Sequence, residues 1–251
     1  MPLKNNIALV TGGSRGIGAA TARLLAQHGY HIAISYRERK DSAESLLNEL
    51  KALGTKAIAV RADISSEADI THLFNEVDRQ LGPLQYLVNN AATLKPQMRV
   101  EKMEAERINQ VFRTNVTGTL LCCREAIRRM STKQGGSGGA IVNVSSAASR
   151  WGSPNEYIDY AASKGAVDTL TIGLSQELAS EGIRVNGVRP GLIYTEMHAA
   201  GGEPDRVERL KSTTPLKRGG LPEEVASAIA WLLSNESSFT TGSFIDVAGG
   251  K

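Results

Sequence analysis

Short runs of aliphatic and β-branched residues recur along the chain, and between them lie longer stretches in which apolar side chains return every three or four positions. The runs read as strands at Ile7–Val10, His31–Tyr36, Ala57–Arg61, Leu84–Asn89, Ala140–Val144, Arg184–Val188 and Ser243–Val247. The amphipathic stretches read as helices at Gly16–His28, Ser42–Leu53, Glu67–Leu81, Glu104–Met130, Tyr157–Glu181 and Glu223–Leu233. Strands that are nearly all apolar, each separated from the next by a helix, belong in a parallel sheet covered on both faces. Right-handed crossovers then wind the sheet both ways from a central strand and place its ligand site at the carboxyl ends. The expected architecture is α/β, a single-domain, doubly wound (Rossmann-type) sheet of about seven parallel strands in the order 3-2-1-4-5-6-7 with helices on both faces.

No domain boundary interrupts the alternation. Gln134–Gly139 (QGGSGG) has the composition of a linker, but a strand follows at once, so it reads as a flexible surface loop after a long helix. Met197–Pro222 breaks the rhythm with glycines, prolines and charges, and irregular segments of that length are often lids or binding loops. The whole of residues 1–251 therefore reads as one domain with a lid around 193–222.

The glycine-rich turn adds the first chemistry. The first strand runs into Thr11-Gly12-Gly13-Ser14-Arg15-Gly16-Ile17-Gly18, where a helix begins. A backbone that must approach a pyrophosphate at a helix N-terminus needs glycine where a side chain would obstruct, and Gly12, Gly16 and Gly18 meet that need. Gly12, Ser14, Arg15, Gly16, Ile17 and Gly18 are the candidate contacts in this turn, although the spacing differs from G-x-G-x-x-G. The end of the second strand reaches the adenosine ribose in such folds. An acid there selects NAD and a basic group favours the 2′-phosphate of NADP. Tyr36 stands at the strand end, Arg37 follows it, and Arg15 lies within reach, so NADP(H) is preferred with NAD(H) left open; a shift of two residues would bring Glu38 to the ribose.

Tyr160 and Lys164 are four apart in a helical pattern, hence on one face. An ammonium beside a phenol stabilises phenolate, and the same phenol donates its proton in the reductive direction. The pair gains weight from Ser145-Ser146, which ends the strand Ala140–Val144 at the edge where ligands sit. Tyr157 has Ala161, not lysine, four residues on and is assigned to the substrate pocket or the core.

These features in order, TGGSRGIG at 11–18, Asp63 after the third strand, NNAA at 89–92, Asn115 in RTNVTG, IVNVSS at 141–146, YAASK at 160–164 and RVNGVRPG at 184–191, resemble the short-chain dehydrogenase/reductase family across almost the whole chain. The resemblance is nearest the glucose 1-dehydrogenase-like and 3-oxoacyl reductase-like branches. It implies hydride transfer between NAD(P)(H) and a carbonyl or secondary alcohol. It makes Ser146 the hydroxyl that polarises the substrate oxygen, with Ser145 facing elsewhere, and Tyr160 the acid/base. Lys164 then holds the ribose and lowers the tyrosine pKa, and Asn115 anchors a water that links Lys164 to solvent. Asp63 and Ile64 would contact the adenine, Asn90 and Ala91 would line the cofactor, and Pro190, Gly191, Ile193 and Thr195 would fix the carboxamide. The family usually assembles as a homotetramer through the helices Glu104–Met130 and Tyr157–Glu181. Two departures stand out: Ala92 replaces the usual glycine of Asn-Asn-Ala-Gly, and Ala248 stands where an acid often precedes the terminal glycines.

Composition removes other classes. Apolar residues make up 41% and charged ones 22%, ordinary for a globular chain. The formal charge of +3 is spread along the sequence, so no basic stripe marks a nucleic-acid surface. Cys122 and Cys123 are adjacent inside a helical pattern, which suits neither a metal site nor a disulfide framework and points to a reducing compartment. The opening MPLKNNIALVTGG lacks a leader's apolar run, and no stretch reaches the roughly 18 apolar residues of a membrane span; the expectation is cytoplasmic with no membrane partner. Of the histidines, His28, His31 and His72 lie away from the expected site, and His198 reads as a solvated loop residue with contact to substrate as the alternative, so no metal is expected. A small carbonyl or alcohol is the expected partner: a sugar, a 3-oxoacyl thioester, a steroid or a small ketone. The rival reading is a catalytically silent nucleotide-sensing protein on the same fold.

Overall fold

The structure is a computed structural model that describes residues 6–251; residues 1–5, part of the opening segment read above for a leader, lie outside the described residues. Strands β1 (Ile7–Val10), β2 (His31–Tyr36), β3 (Ala57–Arg61), β4 (Tyr86–Asn89), β5 (Gly139–Val144), β6 (Ile183–Pro190) and β7 (Phe244–Val247) stand where the hydrophobic runs put them, with ends shifted by a few residues. All pair in parallel, in the order β3-β2-β1-β4-β5-β6-β7. The connecting helices are α1 (Gly16–Gln27), α2 (Lys40–Ala52), α3 (Glu67–Gln80), α4 (Ala105–Phe112), α5 (Thr119–Met130), α6 (Ala148–Trp151), α7 (Ile158–Leu178), α8 (Met197–Ala200), α9 (Arg206–Leu210) and α10 (Pro222–Leu233).

Two cores explain why the strands are apolar on both faces. Ala8 and Val10 of β1, Ile32 and Ile34 of β2, and Val142 and Val144 of β5 enter one core with Leu25 of α1, Leu46 and Leu50 of α2 and Ile229 of α10. The alternate residues Ile7, Leu9, Ala33 and Ile141 enter the other, against Ile70 and Phe74 of α3 and Cys122, Ala126 and Met130 of α5. Each large apolar side chain so buried contributes about 1.5–3 kcal/mol of transfer free energy. The strand order reverses between β1 and β4, which opens a crevice at their carboxyl ends.

Three segments differ from the sequence expectation. The long helix over 104–130 is interrupted: Arg113–Gly118 widens into a π turn between α4 and α5. The turn packs directly on the chain after β3, where a Cβ on Gly118 would lie 2.3 Å from the Ile64 carbonyl oxygen. Such bulges occur mostly where a helix serves a functional site. The segment 197–222 is less irregular than expected, holding α8, α9 and a parallel bridge between Ile193 and Gly220. Gly136, Gly138 and Gly139 of QGGSGG serve close packing: the Gly138 N–H donates to the Met130 carbonyl at 2.7 Å, and a Cβ on Gly136 would lie 2.4 Å from the Met130 carbonyl carbon. No helix among the described residues is long and apolar enough to cross a membrane.

Candidate active site

The crevice is built first by the turn after β1. The Thr11 hydroxyl accepts the N–H groups of Asn90 and Ala91, each at 3.0 Å. The Asn90 amide donates back to the Thr11 and Gly12 carbonyls at 2.9 and 3.1 Å. Gly12 takes φ +61°, and a Cβ there would lie 3.0 Å from the Ala91 Cα. Gly13, to which the sequence reading gave no part, is equally constrained, because a Cβ would lie 2.6 Å from Ile34. The turn delivers Gly16, Ile17 and Gly18 to the start of α1. No side chain caps that start and no acid occupies its first turn. A helix N-terminus of this kind presents unsatisfied N–H groups and the positive end of its dipole, which fits a pyrophosphate. Ser14 is half-buried within the turn.

The end of β2, expected at the ribose, carries more charge than the sequence reading assigned. Tyr36 ends β2, packed against the first core, and its carbonyl accepts the Ala62 N–H at 2.8 Å. Arg37 is exposed and pairs with its neighbour Glu38 at 2.8 Å. Arg15 Nη1 lies 2.9 Å from Glu196, and Arg39 approaches the same carboxylate oxygen at 4.0 Å. Asp63 Oδ1 accepts the N–H and hydroxyl of Ser65, both at 2.8 Å, which shapes the turn into α3. Ile64 is buried under the π turn.

Catalytic candidates converge at the end of β5. The Ser145 hydroxyl is buried and donates to the Lys164 carbonyl at 3.2 Å, so it faces away from the crevice. The Ser146 hydroxyl accepts the Ala148 N–H at 3.1 Å and lines a cavity of about 150 Å³ together with Tyr160 and Lys164. Lys164 is buried, its Nζ donating to the Val144 carbonyl at 2.7 Å and standing 5.6 Å from the Tyr160 ring centre. Among the chain's own groups, burial dominates both titrations. It pushes the Tyr160 phenol up to about 12, with the Ser146 hydroxyl acting in the opposite sense. It pushes the Lys164 ammonium down to about 8, opposed by the carboxylate of Asp168. Burial thus keeps the phenol protonated at neutral pH. Asn115 sits in the π turn with its side chain fully engaged: Oδ1 accepts the Thr93 N–H at 2.8 Å, and Nδ2 donates to the Thr93 carbonyl and the Ser163 hydroxyl. Any water held at this residue is left to its backbone carbonyl, which already accepts the Thr119 hydroxyl at 2.8 Å.

These values give a pH dependence. The Lys164 charge is present below about pH 8 and lost above it, so the kcat/KM of reduction should fall as pH rises through about 8, by roughly tenfold per unit thereafter. Lys164→Arg keeps its charge throughout and should lack that limb; an unchanged limb would assign it to another group. The unfolded chain, with its lysine near 10.5, binds the extra proton between about 8 and 10.5, so this group makes stability rise with pH across that window.

The same cavity is lined by Ile17 of the glycine turn, by Asn90, expected along the cofactor, and by Pro190, Gly191, Ile193 and Thr195, expected at the carboxamide. Leu94, Trp151, Tyr157, Met197, His198 and Arg206 line it as well, the last three from the segment 193–222. Tyr157 is buried and donates to the Gly201 carbonyl at 3.2 Å. Ala92 lines the cavity and is not among the non-glycine residues with positive φ, which are Ser153, Asn155 and Lys217. Its methyl group therefore adds no backbone strain. His198 is not the solvated residue expected: its Nε2 lies 2.9 Å from the Ile193 carbonyl, its Nδ1 is buried, and burial lowers its pKa. The cause is the contact with the Ile193 carbonyl, which turns the ring inward. Among the described residues, no group of three or more His, Cys, Asp or Glu side chains could hold a metal ion. Both cysteine thiols are buried, and burial raises their pKa, Cys123 to about 12.

Comparison with known proteins places the chain among oxidoreductases. A family model described as enoyl-(acyl carrier protein) reductase matches residues 12–251. An uncharacterised oxidoreductase of Escherichia coli K12, YgfF, is 62% identical over 98% of this chain and 99% of its own length. The 3-oxoacyl-(acyl-carrier-protein) reductase FabG of Staphylococcus epidermidis is 36% identical over 98% of each chain. Among solved structures, a short-chain dehydrogenase from Burkholderia cenocepacia in complex with NADP superposes with a TM-score of 0.89 at 31% identity, covering 100% of this chain and 99% of that one.

Proposed function

The chain belongs to the short-chain dehydrogenase/reductase family, on the side of its 3-oxoacyl reductases, and from that premise we propose that it reduces an uncharged, largely apolar carbonyl compound with NADPH. It is an NAD(P)-dependent oxidoreductase acting on CH–OH and C=O groups. The observation that carries the finer reading is the convergence of Ser146, Tyr160 and Lys164 on one cavity at the carboxyl end of β5. A silent nucleotide sensor would have no use for that set.

When bound, the nicotinamide supplies the hydride in reduction and accepts it in oxidation. The chain's own residues handle the oxygen and the proton. The Ser146 hydroxyl donates to the carbonyl oxygen as negative charge grows there, which accelerates the reaction only as far as the bond strengthens in the transition state. Tyr160 gives that oxygen its proton, a role suited to a phenol held near 12. The Lys164 ammonium then faces the phenolate left behind. Asn90, Pro190, Gly191, Ile193 and Thr195 orient the cofactor's reacting end.

The pocket walls support the choice of substrate. Leu94, Ala147, Trp151, Tyr157, Leu192 and Met197 are apolar or aromatic. Arg206 lies over the Tyr157 ring and is already paired with Glu156 and Glu203. A sugar needs many hydrogen-bond partners, whereas the acyl part of a 3-oxoacyl compound or a simple ketone does not. NADPH preference is supported by Arg15 and Arg37, joined by Arg39.

The test is a fluorescence titration with NADPH and NADH, followed by a panel of 3-oxoacyl esters, ketones and sugars. NADPH should bind at least about tenfold more tightly, the size of one lost charge-assisted contact. Tighter NADH binding would give the ribose to Glu38, and binding of neither would end the enzymatic reading. We further assign a homotetramer assembled through α5 and α7, supported by the exposure of Leu120 and Ile172 on those helices. A monomer in sedimentation would contradict it. The two reduced, buried thiols suit the cytoplasm.

A further inference from the structure

Arg107 reaches from α4 into the first turn of α7. Its Nε and Nη2 lie 2.8 and 3.4 Å from the two oxygens of Asp159, and its Nη1 donates to the Pro96 carbonyl at 2.6 Å. The pair is removed from water, the two side chains being 12% and 2% exposed. Asp159 Oδ1 also accepts the backbone N–H of Tyr160 at 2.9 Å. The carbonyl of Tyr160 is held as well: it accepts the Ser163 hydroxyl at 2.7 Å, and that hydroxyl accepts from Asn115 Nδ2 at 3.0 Å. Asn115 grips Thr93 by its N–H and its carbonyl.

The helix formed by α4 and the π turn therefore makes two pairs of attachments. It holds the backbone of Tyr160 on both sides, and it holds the loop 93–96 at both ends. Leu94, inside that loop, faces the cavity.

A buried ion pair is a poor device for stability, because the desolvation of two charges offsets most of their attraction, and apolar residues of similar volume often serve as well. What a forked guanidinium–carboxylate contact supplies is direction. The two charges also cancel, so the phenol is positioned without an unbalanced charge beside it. We infer that Arg107 and Asp159 are positioning residues, which lock the proton-donating tyrosine and the substrate-side loop 93–96 into one rigid frame. The inference rests on the reading of Tyr160 as the proton donor. In a preassembled site, a misplacement of about 1 Å costs about 10²-fold in rate.

The test compares Arg107→Met, Asp159→Leu and the double variant with the wild type, using NADPH and the panel carbonyl that the wild type reduces fastest. Each single variant strands a buried charge and should lose both thermal stability and turnover. The double variant should regain a thermal midpoint near the wild-type value, while its kcat stays down by about 10- to 100-fold. Its NADPH affinity should stay within about threefold of wild type, since neither residue lines the cavity. Recovery of kcat together with stability would make the pair merely structural and overturn the inference. Should the double variant fail to fold, Arg107→Lys decides. It keeps the charge but cannot make the fork and reach Pro96 together, so a loss of about tenfold in kcat supports the inference and wild-type kcat overturns it. Tyr160→Phe separates the two levels. Undiminished turnover in that variant, or a wild type that reduces no panel carbonyl, removes the functional reading and the inference with it. Dependence on Tyr160 with an unaffected double variant removes only the inference.

Discussion

Tyr160→Phe is expected to bind NADPH about as tightly as the wild type and to reduce carbonyl substrate about 10²- to 10⁴-fold more slowly, the usual worth of one positioned general acid. The substitution takes away a single oxygen. The ring remains, and the two attachments of the backbone, through Asp159 at the N–H and Ser163 at the carbonyl, do not involve the hydroxyl. Folding should be little disturbed. The oxygen formed on the substrate would lose its proton source, since a phenol near 12 is protonated at every physiological pH and Ser146 is a far weaker acid. The Ser146 contact and the apolar walls should still bind substrate, so the loss should appear in kcat and leave KM near wild type. Turnover near the wild-type value, measured by single-turnover oxidation of NADPH, would take the acid role away from Tyr160.

The sheet was legible because its signal is local. β1, β2 and β5 are apolar at successive positions, which a strand buried on both faces requires and one half-exposed would not show. Ser146, Tyr160 and Lys164 were legible for a similar reason: one marks the end of a strand and the others are a helical turn apart. What escaped the sequence was made by contacts between distant segments. The residues 113–118 keep a helical pattern, and the π turn arises only because Gly118 meets Ile64 and Asn115 meets Thr93. Arg107 and Asp159 are 52 positions apart, each an ordinary charged residue on a helix until the fold faces them. His198 was misjudged because its shelter is the carbonyl of Ile193, which composition does not reveal. Arg15 was placed at the cofactor from its position in the turn, but its partner Glu196 comes from 181 residues away. Periodicity thus carried the scaffold, and side-chain partners across the crevice could be read only from the folded chain.

Gly18→Ala tests whether the glycine turn cradles a cofactor or only turns the chain. In an ordinary helix interior this exchange stabilises by about 1 kcal/mol. Here a Cβ would lie 2.6 Å from both the Asn90 Nδ2 and the Gly12 carbonyl oxygen, and 2.9 Å from the Gly13 Cα. Neither neighbour can easily yield. The Asn90 amide is bonded to the Thr11 and Gly12 carbonyls, and Gly12 is backbone already in the left-handed region. The methyl must push α1 away from the turn, at about 1–3 kcal/mol for an overpacked contact, so the sign of the helix preference reverses. Stability should fall modestly, since the cores below contain no part of this contact. Cofactor binding should fall much further, because the N–H groups at the start of α1 move relative to the Asn90–Ala91 wall by a fraction of an ångström to an ångström. Displacements of that size cost about 10²-fold in preassembled sites. The measurement is the NADPH dissociation constant by fluorescence beside the thermal midpoint. A large loss of affinity with a small loss of stability ties the turn to the cofactor. Wild-type affinity in a folded variant would mean that α1 tolerates the shift and that the pyrophosphate is held elsewhere.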